Sequence, residues 1–134
     1  YKVDNVCFMG TFPQSKLHEI YTRGSVFVLP SVADGFGMVV PQAMACGLPI
    51  IVTENVGAAD IVTEGTDGFV VPIRDVNILK ERILGLYEQP ELRKSMGHAA
   101  LAKAKSELSW DRYGYRLAKF LSDKIKTVST IKEV

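Results

Sequence analysis

"VFVLPSVADGFGMVVPQAMACGLPIIV", residues 26–52, begins and ends on apolar, β-branched runs and places glycines, prolines and a helix-like patch between them. Val26–Leu29 and Ile50–Val52 are short, apolar on both faces and bounded by Pro30 and Pro49, as strands of a parallel sheet covered on both sides should be. Between about Met38 and Cys46 the pattern turns helical and Gly47 closes it. Pro41 is tolerable there because it falls in the first turn, where backbone N–H groups have no intrahelical partners. A strand, a helix and a second strand in this order predict a parallel pair joined by a right-handed crossover.

Working outward, Val6–Met9 and Phe69–Val71 read as two further strands, for about four in all. Ser15 is placed to cap a helix with Leu17, Ile20 and Tyr21 on one face and Gly24 at its end. A shorter helical turn is expected from Ala58 to Val62. Beyond the fourth strand the pattern is helical only. Asp75 should cap a helix with the stripe Val76, Leu79, Ile83, Leu86 and Tyr87. Pro90 should start another with Leu92, Met96 and Ala99 inward, and a last helix should follow Asp111 with Tyr113, Leu117, Phe120, Leu121 and Ile125 as its stripe. The fold class is therefore α/β, a parallel sheet flanked by helices. Such sheets bind ligands at the carboxyl ends of their strands, here the loops at Gly10–Ser15, Pro30–Gly37 and Thr53–Gly57.

The chain has 134 residues, 47% hydrophobic and 23% charged, enough for one domain with a core. A net charge of +1, with no basic cluster interleaved with aromatics, argues against nucleic acid or an anionic membrane as partner. Cys7 and Cys46 lack metal-ligand spacing and read as small buried hydrophobes in a reducing compartment. No apolar run approaches the roughly 20 residues that span a bilayer. A cytoplasmic location is expected. The first residue is Tyr1 rather than Met, so the chain reads as cut from a longer protein, and membrane association would belong to the part it lacks.

The loop from Pro30 to Gly37 carries the chemistry. Gly35 and Gly37 let a ligand approach the main chain, and the N–H groups of Gly37, Met38 and Val39 form a positive pocket for a phosphate or for sugar hydroxyls. An ionised Asp34 only accepts hydrogen bonds, so it suits sugar hydroxyls and repels bare phosphate, whereas the Gln42 amide both donates and accepts, as a ribose diol requires. The plainer alternative is that Asp34 caps the helix.

These residues carry a resemblance. "VFVLPSVADGFGMVVPQAMACGLPIIVTENVGAADIVTEGTDGFVV" is similar to the C-terminal donor-binding domain of the group 1, family 4-like retaining GT-B glycosyltransferases. Their pattern runs Pro-Ser-x-x-Glu-Gly-Phe-Gly-x-x-x-x-Glu-Ala-x-Ala-x-Gly-x-Pro-Val, then a glycine loop and Gly-x-x-Val. "VCFMGTFPQSKLHEIYTRGSVFVLP" upstream, and "EQPELRKSMG" with Ser109–Trp110 downstream, fit the same family. Two positions depart from it. Asp34 and Gln42 stand where the family usually has glutamates, so the first carboxylate reaches one methylene less and the second charge is lost.

The resemblance implies a Rossmann-like, three-layer domain that forms part of a GT-B enzyme. It implies a nucleotide-diphosphate sugar as donor, with the base against Gly10, Thr11 and Phe12, the ribose near Gln42, the diphosphate over Gly37, Met38 and Val39, and the sugar near Asp34, Gly35 and Phe36. Asp34 is the candidate catalytic residue. Neither a cofactor nor a metal is implied. Transfer would retain the anomeric configuration, and a glycan or lipid-linked acceptor would be held by an N-terminal domain this chain lacks, as would the Arg and Lys that neutralise the leaving diphosphate. The fragment alone is then expected to be inactive, and Val6–Met9, having lost its neighbour, is expected to offer an open edge for a homodimer. The alternatives are a non-catalytic nucleotide-sugar-binding module, a GT-B phosphorylase or epimerase, and a protein-interaction domain that keeps only the scaffold.

Among the remaining residues, His18 and His98 read as surface histidines, Met9 and Met44 as core, and Trp110 as the anchor of the last helix. Glu54, Asn55 and Gly57 follow the third predicted strand and are candidates to line the site. Asp60 and Glu64 read as solvated or capping acids.

Overall fold

The computed structural model describes residues 4–131. A 3-10 turn, Gln14–Lys16, runs into α1 (Leu17–Tyr21), followed by β1 (Phe27–Leu29), α2 (Val39–Ala45), β2 (Ile50–Thr53), a 3-10 segment (Gly57–Ile61), β3 (Gly68–Val71), α3 (Val76–Glu88), α4 (Pro90–Glu107) and α5 (Trp110–Ile131). The sheet is parallel in the order β1-β2-β3, with Val28 opposite Ile51 and Ile51 opposite Phe69.

β2 is buried along its whole length, and the two-residue period of a strand sends its side chains to opposite faces. Ile50 and Val52 join Val40, Ala43 and Met44 of α2 and Ala100 of α4; Ile51 joins Val71, Leu86 of α3 and Met96 of α4. α4 thus feeds both cores. Polar bonds set the element ends. Asp75 Oδ1 accepts from Ile78 N at 3.0 Å at the start of α3, Pro90 occupies the first turn of α4, and the Ser109 hydroxyl accepts from Arg112 N at 3.2 Å at the start of α5.

Several sequence expectations fail. Val6–Met9 forms no strand, so the sheet has three strands and not four, and the segment on which the edge-pairing expectation rested is irregular. Val6, Phe8 and Met9 are exposed. A strand needs a neighbour to satisfy its N–H and C=O groups, and no strand of the described residues pairs with this run. Cys7 is exposed for the same reason. Ser15 does not cap α1 but lies inside the 3-10 turn. In α3 only part of the stripe is inward: Leu86 is buried and Leu79 half-buried, while Val76, Ile83 and Tyr87 face solvent. The largest departure is α5, whose apolar stripe of Tyr113, Leu117, Phe120, Leu121 and Ile125 is exposed, as is Trp110, whose ring meets Tyr113 edge to face rather than the core. Met44, by contrast, is fully buried, and His18 and His98 are exposed as expected. Among the described residues no helix is long and apolar enough to cross a membrane.

Candidate functional site

Two loops at the carboxyl ends of β1 and β2 are fastened to each other. The Thr53 hydroxyl donates to the Ser31 carbonyl at 2.5 Å, joining the strand ends. Further out, Asp34 N donates to Asn55 O at 3.2 Å, Gly57 N to Asp34 O at 3.2 Å and Ala58 N to Phe36 O at 2.6 Å. The second loop therefore backs the first residue by residue. Asn55 and Gly57 take part through their backbones, while the Glu54 carboxylate turns the other way and accepts from Ile73 N.

Two glycines make this contact possible. A Cβ on Gly57 would lie 2.4 Å from Gly35 O and 3.0 Å from Phe36 Cα. Gly37 has φ +79°, a conformation L side chains rarely adopt, and a Cβ there would lie 2.9 Å from a methyl of Val56. The backbone of the turn is held against its support with no room for a side chain between them.

Asp34 does not cap α2. The helix starts after Met38 with no side-chain cap, and Asp34 Oδ1 instead accepts from Phe36 N at 3.2 Å, closing a tight turn within the loop. The residue is exposed, and its second carboxylate oxygen meets no protein donor among the described residues. Phe36 and Met38 face outward, and Gly37 is buried beneath them.

α2 presents two faces. Val40, Ala43 and Met44 are buried in the core, and Met38, Pro41, Gln42 and Ala45, at helical spacing on the other side, line a cavity of about 620 Å³. Phe36 closes it at the loop end; Trp110 and Tyr113 of α5 stand across from α2. The Gln42 amide oxygen is buried and without a hydrogen-bond partner among the described residues, a state that costs free energy until a donor arrives. Gly10, Thr11 and Phe12 lie on the irregular segment before the 3-10 turn and do not line the cavity, which Gln14 of that turn reaches. Asp34, Gly35, Phe36, Gly37, Met38, Val39 and Gln42 thus follow one another on a single loop-and-helix stretch, with Gly37 buried and Phe36, Met38 and Gln42 on the cavity, whereas Trp110 and Tyr113 of α5 were not among the expected site residues. No local signal marks them, because the contact joins positions far apart in the chain.

One titrating neighbourhood lies beneath the site. Burial pushes the Cys46 thiol up, and it pushes the Tyr21 hydroxyl up, with Cys46 adding to the shift of Tyr21. Asp60 stays exposed, and Glu64 accepts from Val70 N at 2.8 Å, so both acids serve the fold or solvent.

Comparison with known proteins adds an independent line. The family described as "Glycosyl transferases group 1" matches residues 1–103. An uncharacterized glycosyltransferase of Methanocaldococcus jannaschii is 40% identical over 88 residues, covering 66% of this chain and 25% of that protein. A GDP-mannose-dependent monoacylated alpha-(1-6)-phosphatidylinositol monomannoside mannosyltransferase of Corynebacterium glutamicum is 33% identical over 124 residues, covering 87% of this chain and 32% of that protein. Among solved structures, sucrose-phosphate synthase from Thermosynechococcus elongatus superposes with a TM-score of 0.81 at 26% identity, over 92% of this chain and 31% of that one. The chain thus spans a quarter to a third of the length of the curated relatives named here.

Proposed function

The chain belongs to the group 1 glycosyltransferases, and from that premise we propose that it is the donor-binding part of an enzyme that moves a sugar from a nucleotide-diphosphate sugar to a glycan or lipid-linked acceptor, with retention at the anomeric carbon. The observation that carries this reading is the Asp34–Met38 turn, clamped on Gly57–Ala58 at the strand ends, with Gln42 on the adjoining face of α2. The dependence of the Corynebacterium relative on GDP-mannose supports a nucleotide sugar as donor.

In this reading the diphosphate lies over the N–H groups of Gly37, Met38 and Val39, which have no intrahelical acceptors. The transferred sugar lies beside Asp34, Gly35 and Phe36, with its hydroxyls donating to the carboxylate oxygen that the turn leaves unused. A ribose hydroxyl donates to the Gln42 oxygen. The anomeric C–O bond to phosphate breaks while the acceptor oxygen bonds to the same face of that carbon, and the acceptor's proton passes to the departing phosphate. The enzyme then needs no nucleophile of its own. No cofactor or metal ion has a role in this scheme. The acceptor, and the cations that neutralise the leaving diphosphate, belong to parts of the protein outside this chain.

The test is thermal unfolding of the chain with UDP, GDP, ADP and their sugars, repeated on Asp34→Ala and Gln42→Ala. A ligand at 100 times its Kd stabilises by about 2.7 kcal/mol, so one nucleotide class should raise the midpoint, with the sugar adding to the effect. Asp34→Ala should remove the sugar's increment and Gln42→Ala should weaken all nucleotides. Midpoints unmoved by every nucleotide would contradict the proposal.

A further inference from the structure

β3 ends the sheet, so one of its sides has no partner strand among the described residues. In an extended chain the N–H and C=O of one residue point the same way, and those of the next point oppositely. Asp67 O and Val71 O accept from Ile50 N and Glu54 N on the β2 side, at 3.2 and 3.0 Å. Gly68, Val70 and Pro72 therefore turn their backbone groups outward. Such a row is a template on which another chain can pair, and Phe69, Val70 and Val71 are residue types that favour pairing.

Three features close that row. Gly65 N donates to Gly68 O at 2.9 Å, because the turn at 63–67 folds back beside the start of the strand. Glu64 Oε2 accepts from Val70 N at 2.8 Å. Pro72 has no N–H to offer. The first and the last belong to the backbone, whereas the middle one depends on a single exposed side chain. That side chain is presented by a turn pinned on both sides of it, since Lys103 bonds the Thr63 hydroxyl and pairs with Asp67.

We infer that Glu64 is the cap that keeps the outer edge of β3 from pairing with the same edge of a second copy of this chain. Its carboxylate occupies Val70 N, the central outward donor of the strand. An incoming strand would have to displace it, and its own carbonyl could not bond the ionised carboxylate, since both only accept. With Glu64 gone, Val70 offers an N–H and a C=O to the newcomer. The inference is independent of the donor reading, because this edge shares no residue with the Asp34–Met38 turn or with Gln42.

Sedimentation of the 134-residue chain compares the parent with Glu64→Ala and Glu64→Gln, and circular dichroism checks each fold. Glu64→Ala should self-associate about tenfold more tightly than the parent. Glu64→Gln, whose amide oxygen can still accept from Val70 N, should match the parent. Adding Val70→Pro to Glu64→Ala removes the outward N–H at an edge position that tolerates proline, and should return the parent's behaviour. In dilute protein the Val70 amide should exchange about tenfold faster in Glu64→Ala than in the parent. Glu64→Ala sedimenting as the parent does, or exchanging at Val70 at the parent's rate, would overturn the inference. Association of Glu64→Gln equal to that of Glu64→Ala would also overturn it, by making charge rather than the bond the barrier. Association of Glu64→Ala that survives Val70→Pro would overturn it by placing the contact elsewhere.

Discussion

A methyl group at Gly57 would stand 2.4 Å from the Gly35 carbonyl oxygen, whereas one at Gly35 would meet nothing within 4 Å. The two glycines face each other across the same contact, yet they should respond oppositely to the same substitution. Gly57→Ala has to push the two loops apart and should cost about 1–3 kcal/mol of stability, and Gly35→Ala should stay within about 0.5 kcal/mol; urea unfolding of both variants checks the contrast. The cysteines differ in a similar way. Cys7 is exposed and Cys46 half-buried with its thiol pushed up, so iodoacetamide should modify Cys7 first and reach Cys46 only at higher pH. Because the folded Cys46 and Tyr21 hold their protons where the unfolded groups have released them, their contribution to stability is full below the unfolded values. It falls as pH rises past the ordinary cysteine value of about 8.5. Asp34, the glycines and Gln42 were legible in the sequence because a Gly-rich turn before a helix start is a local pattern. The role of Asp34 in closing its own turn was not, since capping and turn closure use the same residue type in the same place.

At the scale of elements, one ion pair ties the site's support to α4. Lys103 Nζ donates to Ile61 O at 2.8 Å and to the Thr63 hydroxyl at 2.5 Å and pairs with Asp67, whose other oxygen accepts from Thr63 N at 2.8 Å. Asp67 is 1% exposed. The ammonium thus holds the far end of the 3-10 segment whose near end backs Phe36. Lys103→Met leaves a buried carboxylate unpaired and should cost about 3 kcal/mol, measured by chemical denaturation, with Lys103→Arg retaining more stability than Met. The sequence offered no sign of this pair, because its partners are 36 positions apart (103 − 67) and each looks like an ordinary surface residue. β1, β2, β3 and α2 were legible, being apolar or helical runs bounded by Gly and Pro. Val6–Met9 carries the same local pattern and still forms no strand, since composition cannot say whether a neighbour is present to pair with it. α5 failed as an inward-facing helix for a related reason: its period is helical, but Tyr113, Leu117, Phe120, Leu121 and Ile125 stay largely exposed.

For the molecule as a whole, a short parallel sheet with β2 buried between two apolar clusters fixes the carboxyl ends of β1 and β2, and the two fastened loops stand on those ends. The family and the fold account for the scaffold, and a donor site at the fastened loops fixes where a nucleotide must be felt. The most direct measurement is a titration of the isotopically labelled chain with the nucleoside diphosphate that best stabilises it, following backbone amide and indole N–H signals by NMR. A nucleotide held at the clamped turn should shift residues 34–42 and Gly57–Ala58 and leave α3 unaffected. Saturable shifts confined to α3 and α4, with residues 34–42 unmoved, would contradict it.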